Sequence, residues 1–435
     1  MRVEPFETAA IDGIAVHVGS GATPRGGSEV YTSEGALFIR SQNVRFSGLE
    51  LDDVAFIDDR THRAMARSEV FPADVLLNIT GASIGRCCVL PAGVGPANVN
   101  QHVCAIRLPG ADPRDASFLS AVLGSHIGQS QVAQLNAGGN REGLNFQQIR
   151  AFVVPWPGAG TRRRIAEILD TIDEAIRKTE QVIAKLQQMK QGLLHDLLTR
   201  GIDENGELRD PERHPEQFQD SPLGRIPKAW GVRCVREAGT VQLGRQRSPE
   251  HAAGPHMRPY LRVANVFDGF IDFSDVLEMN FTPAEQATFS LEPGDILLNE
   301  GQSLELVGRC AVYNGEPGAF CFQNTLIRFR PNPGQTDHRF ARTVFKRCLD
   351  TRRFVQIAKQ TTSVAHLGSD RFAKLPFPLP PLDEQQRIAV LVAQVEARQE
   401  ADRLGLGKLR DLKNGLMDDL LTGRVRVPAP EEAAK

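Results

Sequence analysis

The side chains in this sequence that are best suited to chemistry are hydrogen-bonding residues clustered on predicted loops. In the first half of the chain they are Arg40, Gln42, Asn43, Thr80, Ser83, Asn100, Gln101, Asn140 and Arg141. In the second half they are Arg262, Asn265, Gln302, Ser303, Gln323, Asn324, Thr361, Thr362 and Ser363. Arginine can bridge O6 and N7 of guanine, and asparagine or glutamine can bridge N6 and N7 of adenine. The clusters are therefore candidates for DNA binding, although Asn, Gly and Ser also form ordinary turns.

The sequence lacks the motifs that usually accompany catalysis. It contains no P-loop, no HExxH zinc motif and no Asn/Asp-Pro-Pro-aromatic tetrapeptide for holding a flipped base. Among the ten histidines only His102 and His366 stand beside polar clusters. The seven cysteines include no CxxC pair, which predicts free thiols in a reducing cytosol and no zinc site. We therefore expect no catalytic residue, no bound metal and no cofactor on this chain.

The elements that carry the polar clusters occur twice, about 222 residues apart. The matching segments are 74–78 with 295–299, 85–87 with 308–310, 164–166 with 387–389, and 192–199 with 415–422. Their offsets are 221, 223, 223 and 223 residues, so order and register are both kept. A duplicated chain folds into two similar units, often related by a pseudo-twofold, which suits a twofold ligand such as double-stranded DNA.

The pattern of each repeat predicts a mixed α/β domain followed by one long helix. Short apolar runs bounded by Gly, Pro and Asn predict strands at 37–40, 74–78, 87–90 and 103–108, and residues 115–134 have a helical pattern. The predicted plan is an α/β domain at 1–157, a helix at 158–200, a polar linker at 201–224, a second α/β domain at 225–380, a second helix at 381–425 and a disordered tail at 426–435.

Apolar residues at heptad spacing predict that the two long helices pair with each other. The positions are Ile165, Ile168, Ile172, Ala175, Thr179, Val182, Leu186, Met189 and Leu193, then Ile388, Leu391, Val395, Leu409, Leu412 and Leu416. Each helix would be roughly 50 Å long. Arg398, Asp402, Gly405 and Gly407 weaken the middle of the second stripe. We predict an antiparallel coiled coil; two helices that pack separately on their own domains are the alternative.

Charge distinguishes the repeats more than it identifies a ligand. The formal net charge of −2 argues weakly against nucleic acid, but binding requires a basic face and not a basic total. Residues 225–375 hold 20 basic and 15 acidic side chains, against 12 and 15 in residues 1–155, so the second repeat should attract phosphate better. The run Arg339, Arg342, Lys346, Arg347, Arg352, Arg353 and Lys359 predicts either a basic DNA-facing surface or a solvated helix.

Several segments resemble the specificity subunit of type I restriction-modification systems. Residues 193–201 with 218–230 are similar to that family's central conserved segment, and residues 378–389 to the segment that opens its distal helix. Residues 38–44 and 260–266 are similar to early strands of its target recognition domains. The resemblance covers nearly the whole chain.

This resemblance implies an α+β fold with two tandem, pseudo-twofold-related α/β target recognition domains, separated by an antiparallel coiled coil of two long helices. Each domain would read half of a bipartite asymmetric site in double-stranded DNA, with the helices setting the gap between the halves. The helices would dock two methyltransferase subunits that carry S-adenosylmethionine, and two restriction subunits that use ATP and Mg can join. The chain itself would be a non-catalytic cytoplasmic subunit, with no membrane partner.

Two departures from the family pattern affect the ends of the helices. The second repeat opens with residues 226–230, which end in Trp230, whereas the first has only residues 1–6. We expect either that an aromatic anchor is missing there or that the given start lies inside the family's usual start. Residues 160–164 stand where the second helix has 383–387, which predicts unequal contacts with the methyltransferases. Two other functions remain open: a protein-interaction adaptor, and an enzyme that uses Asn140, Arg141 or Gln302.

Overall fold

The computed structural model describes residues 5–136, 143–360 and 364–428. The chain forms two compact units: unit 1 comprises Met1–Ile183 and Asp402–Lys435, and unit 2 comprises Ala184–Ala401. The first long helix is Ala159–Leu197 and the second is Leu382–Leu421. Each unit therefore holds one α/β domain and one end of both helices. The predicted domain boundaries at 157 and 380 remain predictions, and most of the predicted tail, 429–435, lies outside the described residues.

The α/β part of unit 1 is built on two sheets. The antiparallel sheet has the strand order Cys87–Val89, Val75–Asn78, Val103–Arg107 and His17–Ser20. The mixed sheet has the order Tyr31–Thr32, Ala55–Ile57, Ala36–Ile39, Ala97–Val99 and Glu69–Val70. Short pairs join Val44–Arg45 to Gly48–Leu49 and Thr8–Ala10 to Val153–Pro155. The continuous apolar runs form strands because both of their faces are buried.

Unit 1 contains two helices where the sequence pattern predicted one over 115–134. They are Pro113–Gly124 and His126–Asn136, and the extended Ser125 separates them. The Ser125 hydroxyl accepts a hydrogen bond from the Ile127 amide at 3.2 Å, as an N-cap does. The shorter helices of this α/β domain are Ile11–Ile14, Asp59–Ala64 and Phe146–Arg150.

Unit 2 repeats the four-stranded antiparallel sheet of unit 1 and has two three-stranded sheets in place of the five-stranded one. Its antiparallel sheet has the order Gly239–Leu243, Leu326–Pro331, Ile296–Asn299 and Cys310–Val312. Beside it lie Leu277–Asn280, Met257–Leu261 and Cys321–Phe322, then Gly301–Gln302, Ala365–His366 and Lys359–Gln360. Gly231–Cys234 pairs with Pro376–Leu379. The helices are Val235–Ala238, Pro283–Phe289, His338–Asp350, Arg353–Ile357 and Ser369–Ala373. The predicted α+β class and the duplication are confirmed.

The segment between the first long helix and the second α/β domain is more ordered than a polar linker. Phe218–Ser221 and Gly224–Pro227 form an antiparallel hairpin. The side chains of Phe218 and Ile226 are buried, and Ile226 belongs to the apolar core of unit 2. The prediction of a plain linker over 201–224 missed this hairpin because its few apolar residues are separated by charged ones.

The long helices run antiparallel within each unit. In unit 1, Asp173 pairs with Lys413 at 2.5 Å and Glu180 with Arg410 at 2.6 Å. Residue numbers rise along the first helix as those of the paired residues fall along the second, so the two helices run in opposite directions. In unit 2, Lys190 pairs with Glu396 at 2.9 Å. The antiparallel pair is confirmed, and helices that pack separately are excluded.

The predicted apolar stripe is wrong at three positions. Val182, Met189 and Leu412 are 47%, 59% and 52% exposed. The ends of the helices are buried instead: Ile165 and Leu420 in the core of unit 1, and Leu194, Leu197 and Ile388 in that of unit 2. Two paired helices bury only a narrow seam, so burial is greatest where an α/β domain also covers them.

An aromatic ring covers the C-terminal end of a long helix in both units, which corrects the expected missing anchor. In unit 2, a Cβ on Gly201 would lie 2.6 Å from the Trp230 ring, and the φ of Gly201 is +63°. In unit 1, a Cβ on Gly423 would lie 3.3 Å from the Phe6 ring, and the φ of Gly423 is +75°. Glycine is needed at both helix ends because the backbone is left-handed and the ring is close. Phe6 thus takes the position of Trp230.

Candidate nucleic-acid interface

A turn that follows the central strand of a sheet, Ala36–Ile39 in unit 1 and Met257–Leu261 in unit 2, has the same hydrogen bonds in both units. The Asn43 amide accepts from the Arg40 backbone N–H at 2.9 Å and donates to two carbonyls of the following turn at 3.0 and 3.2 Å. The Asn265 amide accepts from the Arg262 N–H at 3.0 Å and donates to two carbonyls at 3.0 and 2.9 Å. Both asparagines are buried. Their hydrogen-bonding capacity is used inside the turn, so Asn43 and Asn265 position the loop and do not reach a ligand.

The arginines of this turn face acidic side chains. Arg40 lies 3.6 Å from Asp53, and Gln42 donates to the same carboxylate at 2.5 Å. Arg262 pairs with Asp275 at 2.5 Å. The two aspartates are well exposed, so these are surface pairs of low strength that a phosphate or a base edge can replace.

A chain of hydrogen bonds, here called polar edge 1, connects Thr23, Gln101, His102 and Thr80 in unit 1. The Thr23 hydroxyl donates to Gln101 Oε1 at 2.5 Å, and Gln101 Nε2 lies 3.0 Å from His102 Nε2. His102 Nδ1 lies 2.5 Å from the Thr80 hydroxyl. This pattern assigns the ring proton to Nδ1. Gln101 is exposed and keeps one N–H and one carbonyl lone pair free of these bonds, which is the pair that adenine requires.

The other two candidates of unit 1 lie behind this edge. The buried Asn100 accepts the His102 backbone N–H at 3.0 Å. The Ser83 hydroxyl accepts from the Asn78 amide at 3.1 Å. Both residues support the loops and are not part of the exposed chain.

The corresponding surface of unit 2, here called polar edge 2, consists of Glu300, Gln302 and His366 and differs from polar edge 1 in its hydrogen-bonding groups. The Glu300 carboxylate accepts from His366 Nδ1 at 2.9 Å. Gln302 lies on the strand that pairs with Ala365–His366, and its Oε1 accepts from the Ser303 N–H at 3.1 Å. A carboxylate can accept a hydrogen bond from N4 of cytosine, which a glutamine–histidine chain does not favour. The two edges share a frame and differ in what they offer a base.

The remaining candidates of unit 2 are fixed mainly through their backbone. The Gln323 N–H donates to the Leu261 carbonyl at 2.9 Å, and the Asn324 N–H donates to the Arg245 carbonyl at 3.0 Å. Asn140, Arg141, Thr361, Thr362 and Ser363 lie outside the described residues. The described residues next to them lie beside the two polar edges. Gly143 forms a β-bridge with Thr80 of polar edge 1, and Ala365 pairs with Gln302 of polar edge 2.

Sequence reasoning missed two members of these edges. Thr23 lies in a Gly-rich loop that reads as a turn, and nothing in its sequence distinguishes it. Glu300 directly follows the repeated Asn299, and comparison with Ile79 at the same place in the first repeat could have identified it as a difference between the repeats.

The predicted basic face on residues 339–359 is wrong for its central members. Arg342 contacts Glu396 at 2.7 Å, and Lys346 contacts both Asp268 at 3.2 Å and Asp350. Both side chains are largely buried. Arg342 and Lys346 form ion pairs within unit 2, so part of the excess positive charge of the second repeat is not available to a phosphate backbone.

Five of the seven cysteines are buried and behave as small core residues. Burial raises the pKa of Cys87, Cys88, Cys104 and Cys310 to about 12, so these thiols are protonated at neutral pH. In the described ranges, no group of three or more His, Cys, Asp or Glu side chains is placed to hold a metal ion. A search of the same ranges for a helix of sufficient length and apolar character to span a membrane finds none.

A protein-family model matches the chain in two segments. The model describes the type I restriction modification DNA specificity domain, and it matches residues 66–188 and 227–404. The two matches fall on the two repeats, and together they cover more than half of the sequence.

Similar proteins are found in archaea and bacteria. A putative type I restriction enzyme MjaX specificity subunit of Methanocaldococcus jannaschii is 25% identical over 208 residues, 48% of this chain and 49% of that protein. The MjaVIII specificity subunit of the same organism is 23% identical over 299 residues, 65% of this chain and 63% of that protein. The EcoKI specificity subunit of Escherichia coli is 20% identical over 406 residues, 89% of this chain and 82% of that protein. The chain thus spans about half of the length of the MjaX subunit and less than two thirds of the length of the MjaVIII subunit.

Two solved structures share the fold. The S subunit of a type I restriction-modification system from M. genitalium gives a TM-score of 0.58 at 14% identity and covers 97% of this chain and 96% of its own. A chain from a structure concerned with complex assembly and conformational transition of the type I R-M system gives 0.57 at 15% identity, covering 98% of this chain and 100% of its own. At these identities the likeness establishes the architecture.

Proposed function

Because the chain belongs to the family of type I restriction modification DNA specificity domains, we propose that it is the DNA specificity subunit of a type I restriction-modification system. Each α/β domain reads one half of a bipartite, asymmetric site in double-stranded DNA. The observation that carries this proposal is the pair of polar edges: one frame is built twice, and its exposed side chains differ. A backbone arrangement that occurs twice, with different polar side chains each time, suits an asymmetric site of two separate halves.

The chemistry of the system belongs to other subunits in this proposal. Two methyltransferase subunits dock on the paired helices and supply S-adenosylmethionine to methylate adenine, while this chain binds no cofactor. Restriction subunits that use ATP and Mg join the same complex in the cytoplasm. A base must leave the duplex to be methylated, and the chain's sequence offers no motif for holding one. A protein-interaction adaptor is the second candidate, but the exposed amide of Gln101 in polar edge 1 favours DNA.

Exchange of one α/β domain tests the proposed function directly. Residues 1–155 are replaced by the matching segment of another family member, and the chimaera is expressed with its methyltransferase in a host that lacks other methylation. Methylome sequencing should show a new sequence in one half of the site and the old sequence in the other. The reciprocal exchange of residues 225–375 is the matched control. A change in both halves, or in neither, contradicts the modular assignment.

Gln101→Ala should weaken recognition of one half-site. Loss of a bidentate base contact costs about 1–3 kcal/mol, so the Kd for the cognate duplex should rise roughly fivefold to 150-fold. Fluorescence anisotropy over a range of salt concentrations measures this change, and the salt slope should stay constant because no phosphate contact is lost. Gln187→Ala, an exposed glutamine on the first long helix, is the control and should leave the Kd unchanged. Equal binding by the two variants would remove Gln101 from the interface.

A further inference from the structure

Unit 1 contains a cavity of about 750 Å³ where the α/β domain meets the long helices. Its apolar lining includes Phe46, Val89 and Met417. Its acidic lining includes Asp170 and Asp173 from the first helix. Phe46 stands at the cavity with 50% of its surface exposed. The cavity therefore offers a hydrophobic wall next to carboxylates, a combination that suits a long side chain with a charged head.

The internal repeat shows how the same place is filled in unit 2. Asp173 and Lys413 correspond to Glu396 and Lys190 at the offset of 223 residues, and both pairs form an ion bridge between the helices. In unit 2 a second cation, Arg342, also contacts Glu396 at 2.7 Å. The remaining cavity there measures only about 270 Å³.

Among the described residues of unit 1, no second cation stands at the matching place. Counted from the N-cap residues Asp112 and Asp337 of the matching helices, Ser117 stands where unit 2 has Arg342, and Ala121 stands where it has Lys346. Ser117 reaches Asp170 through a hydrogen bond, but neither small side chain fills the space or supplies the positive charge that Arg342 and Lys346 supply in unit 2. This difference explains why the cavity of unit 1 is larger.

The acidic side of the cavity is also stronger in unit 1. Asp170 occupies the position of Ala393 and thus adds a carboxylate that unit 2 does not have. Burial raises the pKa of Asp170, opposed by a hydrogen bond from Ser117. Among the other charged lining groups, Asp418 lies 3.0 Å from His126 Nδ1. In the part of the chain that the structure describes, Lys413 and Arg410 have the ion-pair partners Asp173 and Glu180. Asp170 has none among those residues.

We propose that this cavity receives the guanidinium group of an arginine side chain from a partner protein, in the place that Arg342 fills within unit 2. The alkyl part of the arginine lies along Phe46, Val89 and Met417, and its head binds Asp170 and Asp173. A guanidinium matches two carboxylates through its fork of N–H donors and tolerates partial burial. The inference rests on the proposed function, which makes the partner one of the methyltransferase subunits. Only the subunit at unit 1 uses this arginine, since unit 2 supplies its own.

Two variants of the full chain test the proposal. Ser117→Arg with Ala121→Lys fills the cavity with the cations of unit 2, and Asp170→Asn removes the unpaired carboxylate with almost no change in shape. Native mass spectrometry with the purified methyltransferase should show two subunits on the unaltered chain. Each variant should bind one subunit as before and the other at least tenfold more weakly. Asp411→Asn, an exposed acid outside the cavity lining, should retain two.

The alternative outcomes separate this inference from the proposed function. If the unaltered chain binds no methyltransferase, both fail. If it binds two and both variants also bind two with unchanged affinity, the arginine site is wrong and the proposed function stands. Loss of both subunits from Asp170→Asn, with its circular dichroism unchanged, also contradicts a site confined to unit 1. Micromolar binding of spermidine to the isolated chain, abolished by Asp170→Asn while two subunits still bind, would assign the cavity to a free cation instead.

Discussion

Glu384→Ala should lower the free energy of unfolding by about 3–5 kcal/mol, because it leaves the largely buried Arg209 without its counter-charge. Glu384 is 2% exposed at the start of the second long helix. Its carboxylate accepts from Arg209 at 2.6 and 3.1 Å and from the Ile202 backbone N–H at 2.9 Å. The Glu384 side chain thus attaches the segment that follows the first long helix to the start of the second long helix. Urea denaturation followed by circular dichroism measures the loss.

A set of related variants separates charge from packing. Glu384→Gln keeps an acceptor for Ile202 and should lose less stability than Glu384→Ala. Arg209→Ala leaves the Glu384 carboxylate without its partner and should lower the free energy of unfolding by a similar amount. The double variant should lose less stability than the two single variants added together. Thr161 stands at the matching position of the first helix. Thr161→Ala should change stability by no more than about 0.5 kcal/mol. A cost below about 1 kcal/mol for Glu384→Ala would refute the importance of this pair.

Asp295→Ala and Asp74→Ala should destabilise the protein by similar amounts, about 3 kcal/mol each, because each removes a buried carboxylate that accepts hydrogen bonds from a partly exposed arginine and from the backbone. Each aspartate is 1% exposed. Asp295 binds Arg330 through two contacts of 2.7 Å, and Asp74 binds Arg107 through two contacts of 2.7 Å. The same carboxylates accept a backbone N–H of the preceding turn at 2.8 Å. Thermal and urea unfolding of both variants measure the effect.

The pH dependence of this deficit follows from the arginines. The hydrogen bond to Asp295 raises the pKa of Arg330, and the hydrogen bond to Asp74 raises that of Arg107. A group whose pKa is raised on folding stabilises the fold fully below its unfolded pKa, and this stabilisation is lost only as the pH rises through the folded pKa. For arginine that window begins above about pH 12, so the deficit should be constant from about pH 6 to about pH 9.

Exposed aspartates provide the matched control for these two variants. Asp53 and Asp275 pair with Arg40 and Arg262 at equivalent places in the two repeats, but they are well exposed. Asp53→Ala and Asp275→Ala should therefore cost at most about 1 kcal/mol. If the buried and the exposed variants lose equal stability, burial is not what gives the Asp74 and Asp295 pairs their strength.

The sequence alone determined the duplication, the family and the main elements. Apolar runs such as 75–78 and 296–299 become strands because nearest neighbours already specify a fully buried extended segment. The long helices were predictable for a similar reason, since their periodicity persists over many turns. The base-reading loops could be located, but Asn43 and Asn265 look like exposed readers in the sequence and are buried supports in the fold.

Only the tertiary structure decided which polar and charged residues are available to a ligand. Arg342 belongs to a basic run by sequence, yet its partner Glu396 lies 54 residues away and draws it into the interior. Phe6 replaces Trp230 as the ring over a helix end, although no motif surrounds it. The physical reason is that burial and ion pairing depend on distant segments meeting in space, whereas strand and helix patterns depend on neighbours in the chain.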